Sequence, residues 1–168
     1  MAPRKQVRNT KPTLLLVGEG FCEKAFLAHL KGIYSLGRIR ITICTAKGKG
    51  PDHVIKHALS CKHCDGYDKV AVLLDTDLPW PKATVAKAKS KGLLLVGSEP
   101  CLEGFLLDIL QLAKDTTNNG CKDKLHPLLS GPPTDRDSYV ERFTREILDN
   151  ASERIPGLKK LLEICTEI

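Results

Sequence analysis

Val70-Ala71-Val72-Leu73-Leu74-Asp75-Thr76-Asp77 is an apolar run that stops at a D-x-D pair, and Leu14-Leu15-Leu16-Val17-Gly18-Glu19-Gly20 is a second run that stops at a glutamate between glycines. Each has the length of a buried strand, and neither alternates apolar with polar residues. Continuous apolarity marks a strand covered on both faces, as in a parallel sheet. In open sheets of that kind, functional groups collect just beyond the carboxyl ends of the strands. Glu19, Asp75 and Asp77 are therefore expected to meet at one end of one sheet. Gathered carboxylates repel one another unless something positive sits among them. Their oxygen donors suit a hard divalent cation, Mg²⁺ or Mn²⁺.

Outward from these runs the pattern alternates strand and helix. Thr13–Val17 is the first strand, followed by a helix over about Phe21–Ile33 with Cys22, Phe26, Leu30 and Ile33 on one face. Arg38–Thr45, rich in isoleucine and threonine, reads as the second strand. Pro51 opens a helix to about Ser60, and Asp65-Gly66 turns the chain into the D-x-D strand. A helix over about Pro81–Lys91 leads to a fourth strand, Leu93–Gly97. Ser98 is placed to cap the next helix, with Pro100 in its first turn. Leu102, Phe105, Leu106, Ile109, Leu110 and Ala113 give that helix its apolar stripe, and Glu103 lies half-buried beside it. Asp115–Asn119 and Gly131–Thr134 read as loops, and Asp135–Ala151 and Pro156–Cys165 as helices. Four strands alternating with helices imply a doubly wound, Rossmann-like α/β fold with right-handed crossovers. Three segments are expected: a basic arm over 1–12, an α/β domain over 13–112, and a helical C-terminal extension over 113–168 packed on the same domain.

Five acids form the candidate site. Glu23 follows Glu19 by one helical turn, and Glu103 comes from a third element. Beside them are cations that could hold a phosphate backbone. Arg4, Lys5, Arg8 and Lys11 precede the first acid, and Lys47 and Lys49 alternate with glycine in a loop. The formal charge of +6 therefore resides mostly in the arm.

The order of these segments resembles the Toprim domain of topoisomerases, primases and OLD-type nucleases. Glu19-Gly20-Phe21-Cys22-Glu23-Lys24 is similar to the EG-x-x-E opening of OLD- and RloB-like proteins. Ser98-Glu99-Pro100-Cys101-Leu102-Glu103 is similar to the S-N-P-C-F-E segment of RloB-like proteins, with Glu99 in place of asparagine. The resemblance covers roughly residues 13–112. It implies a four-stranded parallel sheet, a metal held by Asp75 and Asp77, and Glu19 as general acid or base or a further ligand. It also implies a metal-dependent nuclease acting on DNA or RNA, in families often linked to prokaryotic defence. A catalytically silent Toprim module that binds nucleic acid or a partner protein is the alternative. A haloacid-dehalogenase-like phosphatase also places D-x-D after an apolar strand, but leaves Glu19 unexplained.

Other motifs are weaker. Seven scattered cysteines suit reduced thiols in a cytoplasm better than a disulfide framework. Cys61-Lys62-His63-Cys64, with His57 before it, has zinc-like spacing but no second pair. Trp80 is the only tryptophan; it could stack on a base, though such a residue more often packs over a loop. No run approaches a membrane span. There is no ATPase motif, so any energy-coupled role would need an ATPase or another defence-system protein as partner.

Overall fold

A computed structural model of the chain describes residues 10–166. Four parallel strands form one sheet in the order β2-β1-β3-β4. They are β1 (Thr13–Gly18), β2 (Arg40–Thr45), β3 (Lys69–Asp75) and β4 (Leu94–Ser98). Alternate residues of the two central strands enter opposite cores, which is why both runs are apolar throughout. Leu14, Leu16, Ala71 and Leu73 face one side; Leu15, Val17, Val70, Val72 and Leu74 face the other.

The first side is covered by α1 (Phe21–Tyr34) and by the five helical pieces after β4 that bury side chains. Those are α4 (Leu102–Ile109), α5 (Asn118–Leu125), a short 3₁₀ turn at Arg136–Tyr139, α6 (Arg145–Ser152) and α7 (Pro156–Thr166). The second side carries α2 (Pro51–Asp65) and α3 (Lys82–Ser90). From β1 the chain moves to one side through α1 and then returns past β1 through α2 to β3. The winding direction therefore reverses between β1 and β3, and a crevice opens at the carboxyl ends of such a pair. Glu19 and Asp75 end those two strands.

Several expected boundaries move. β2 begins at Arg40, not Arg38. The second helix runs past Ser60 to Asp65, where Gly66 at φ 69° ends it in a left-handed C-cap. Cys61 and Cys64 therefore sit on helical turns. Ser98 does not cap α4: it is the last residue of β4, paired with Asp75, and Cys101 is the N-cap. Pro100 precedes the helix and follows a cis peptide bond. α4 ends at Ile109, leaving Ala113 exposed beyond the stripe.

The expected helix Asp135–Ala151 is two pieces. Asp135 accepts the Asp137 N–H to start the 3₁₀ turn, and the Thr144 hydroxyl caps α6 at the Ile147 N–H. Between them Phe143 drops into the core, 0% exposed, and its carbonyl meets His29 Nε2 at 2.7 Å. Helix α5 lies within the expected helical extension, but it starts inside the expected Asp115–Asn119 loop. Its Thr117 cap and the buried pair Cys121 and Leu125 are its only local signals. One hydrophobic cluster runs from Leu14 of β1 to Cys165 of α7, so the C-terminal helices share the sheet's core.

Candidate metal centre

The site is assembled at the reversal between β1 and β3. Glu19 leaves β1 with its N–H bonded to the Leu73 carbonyl at 3.3 Å. Its Oε2 accepts the Asp75 N–H at 3.2 Å, so the first acid holds the end of the strand that carries the second. One turn on, Glu23 folds back over the strand end, and its Oε2 accepts the Gly20 N–H at 2.8 Å. That return needs Gly18 to lack a side chain, because a Cβ there would lie 2.7 Å from the Cβ of Glu23. Glu103 comes from the first turn of α4, is only 4% exposed rather than half-buried, and meets His126 Nε2 through Oε1 at 3.1 Å. Asp77, exposed just past β3, accepts from Asn118 Nδ2 at 2.9 Å.

Asp75 is the electrostatic centre. Burial first, and then repulsion from Glu23, Glu19, Asp77 and Glu103, push its carboxyl up to about 8. Glu23 is raised by burial first, then by Glu103 and Glu19. Among the described residues, Asp75 Oδ1 is buried without any hydrogen-bond partner, as is the hydroxyl of its β4 neighbour Ser98. Orphaned buried oxygens are rare in native proteins and call for an explanation. An oxygen-seeking cation fits this donor set. Among the described residues, however, no three His, Cys, Asp or Glu side chains stand grouped to hold an ion. The acids thus share one field, while Glu19, Glu23, Asp77 and Glu103 each engage a separate partner and Asp75 Oδ1 engages none among the described residues.

The nearby loop is tied to the same end of the sheet. Gly48 N–H donates to the Glu19 carbonyl at 2.8 Å, and the Thr45 hydroxyl donates to it at 3.2 Å. Lys47 and Lys49 flank Gly48, both exposed. Trp80 braces the other side: its Nε1–H donates to the Asp75 carbonyl at 2.9 Å, and its ring lies against Gly97. The ring thus packs against β4 and joins the second core.

Lys11 is exposed, whereas Arg4, Lys5 and Arg8 lie outside the described residues. Cys61 lies near His57, at 3.7 Å from Nε2, together with Cys44 of β2 at 3.8 Å; Cys64 faces Ser60 instead. All seven cysteines are free thiols. Asn118, His126 and Ser98 escaped the reading as site residues. Only long-range folding brings Asn118 and His126 to the acids, and Ser98 had an equally good local reading as a cap. No helix among the described residues is long and apolar enough to cross a membrane. Comparison with known proteins returns no matching family model, no matching curated protein and no matching solved structure.

Proposed function

We propose that this chain is a Mg²⁺- or Mn²⁺-dependent phosphodiesterase acting on DNA or RNA, built on a Toprim-like sheet. The observation that supports this most is Asp75 Oδ1, a buried carboxylate oxygen without a partner in the field of four further acids. Asp75 and Asp77 would hold the ion, with Glu23 and Glu103 as further acids of the site. When bound, the cation would polarise a phosphoryl oxygen and lower the pKa of its water. Glu19 is fixed by its bond to the Asp75 N–H and keeps its other oxygen to take or return a proton, or to serve as a further ligand. Lys47 and Lys49, anchored beside Glu19, would hold a neighbouring phosphate of the substrate. A cytoplasmic setting suits seven free thiols. A place in prokaryotic defence, with an ATPase or another protein as partner, belongs to the same proposal.

A second reading has one observation in its favour. Asp77 and Glu103 are engaged by Asn118 and His126. A module that binds nucleic acid or a partner without cutting would keep such bonds.

The two readings separate in one assay. Single- and double-stranded DNA and RNA are incubated with the chain in Mg²⁺, Mn²⁺ or chelator, beside Asp77→Asn and Glu19→Gln. The nuclease reading expects metal-dependent cleavage and a loss of about 10²-fold or more in each variant. Tight binding without cleavage establishes the silent module instead. Equal cleavage by wild type and both variants places the activity outside these acids.

A further inference from the structure

A groove of about 720 Å³ lies between α2 and α3, away from the acids. Helical spacing supplies both of its walls. On α2, Lys56, Leu59 and His63 follow one another on the face toward α3; Lys87 and Lys91 answer from α3 and its C-cap. Near the start of both helices the Thr84 hydroxyl donates to Asp52 at 2.6 Å, joining α3 to α2. Asp52 also pairs with Lys56 at 2.7 Å, neutralising that cation.

Below this stitch no carboxylate lines the groove. Lys62 Nζ bonds the carbonyls of Asp68 at 2.8 Å and Tyr67 at 3.3 Å, which explains it as a tether for the turn into β3. His63, Lys87 and Lys91 are exposed and make no ion pair with any described residue. A favourable interaction with helix C-termini accounts for one lysine at a time. It does not account for Lys87 and Lys91 both standing without an acid on one wall of an open channel, opposite Lys56, Lys62 and His63 and with an apolar floor at Leu59.

We infer that this groove is a track for the phosphate backbone of a nucleic acid, continuing away from the acidic site; this rests on the nuclease reading above. The fold sets the geometry. Helices α2 and α3 both start at the sheet end that carries the acids and finish at the opposite end, so the free cations lie toward the far edge. The 15 residues of α2 span about 22 Å at 1.5 Å per residue. At about 3.4 Å per nucleotide, a strand touching both places extends roughly six nucleotides past the acids. The basic loop at Lys47 and Lys49 lies at the start of that path, immediately before α2.

The test measures binding in chelator, where no cutting occurs. Fluorescent DNA and RNA oligonucleotides are titrated against wild type, Lys87→Gln/Lys91→Gln, and the control Lys159→Gln/Lys160→Gln, which removes equal charge from exposed positions of α7. Losing two phosphate contacts should flatten the slope of log K against log salt by about 1.4–1.8 in the groove variant alone. Cleavage of substrates shorter than about six nucleotides past the cut should be the same in wild type and groove variant, while longer ones show a raised KM in the groove variant. An unchanged salt slope overturns the track. So does equal competition by polyglutamate of matched charge, which makes the groove a site for acidic protein. If the wild type cuts nothing but the slope still falls, the track stands and the nuclease reading fails. If cleavage is intact and the slope unchanged, the track alone fails.

Discussion

The backbone N–H of Asp75 donates to Oε2 of Glu19 at 3.2 Å, across the junction where the sheet reverses its winding. One acid is therefore a structural brace for the other. Its charge and its hydrogen-bonding capacity can be separated by substitution. Glu19→Gln keeps a carbonyl oxygen to accept the Asp75 N–H, whereas Glu19→Ala leaves that donor unpaired. Urea denaturation in chelator should show Glu19→Ala destabilised by about 1 kcal/mol or more, with Glu19→Gln equal to or slightly above wild type. Equal losses in both variants would mean that the charge, not the bond, holds the strand end.

The acid cluster also sets a pH dependence. Burial and neighbouring acids push the Asp75 carboxyl up from its ordinary 3.8 to about 8 in the folded chain. Between those values the native state holds a proton that the unfolded chain has released, so stability falls as pH rises. The contribution is fully present below about pH 4 and lost once pH passes about 8. Glu23, also raised by burial, acts in the same direction. In chelator, urea midpoints should therefore decline from pH 5 to pH 8, and Asp75→Asn should flatten the decline. A wild-type curve that rises over this range would remove Asp75 from the centre of the cluster.

A cation bound only by the native state offsets that repulsion. Mn²⁺ at about 100 times its Kd should add roughly 2.7 kcal/mol to unfolding. Thermal melts at pH 8 in Mn²⁺ and in chelator should differ for the wild type and converge for Asp75→Asn. Coincident wild-type melts at millimolar Mn²⁺ would argue that Asp75 Oδ1 is orphaned for another reason.

The sheet and its two acidic strand ends are legible because each depends on a local pattern. An unbroken apolar run of strand length, bounded by glycine and acid, fits a doubly covered strand, and the first polar residue after it then sits at the carboxyl end. The second half of the site is not written locally. Asn118 and His126 lie on and just after a helix with little apolar content, and nothing in their neighbours points toward Asp77 or Glu103. Ser98, two residues before Pro100, has the local look of a cap, while its pairing with Asp75 in β3 is a matter of sheet register. The broken helix at 135–151 shows the same limit. Its helical composition is real, but burying Phe143 beside His29 demands a turn that only the packed core specifies.

The bond from Asn118 to Asp77 offers the sharpest check on whether the site is poised for metal. Asn118 Nδ2 holds Asp77 Oδ2 at 2.9 Å, which leaves Oδ1 of an exposed side chain available. Partners that orient a ligating carboxylate commonly govern affinity by 10- to 100-fold. Asn118→Ala should therefore weaken Mn²⁺ binding by about tenfold with little change in stability, since the bond lies at the surface. A reporter is built in: the single tryptophan, Trp80, donates to the Asp75 carbonyl, so its fluorescence senses the ion's neighbourhood. Titrating Mn²⁺ into wild type should quench Trp80 with a saturable midpoint, displaced to higher concentration in Asn118→Ala and lost in Asp75→Asn. Tighter binding in Asn118→Ala would show that Asn118 competes with the cation for Asp77, and that the site must open before it can fill. Quenching that is linear in Mn²⁺ and identical in all three proteins would be collisional, and the acids would then hold no ion at all.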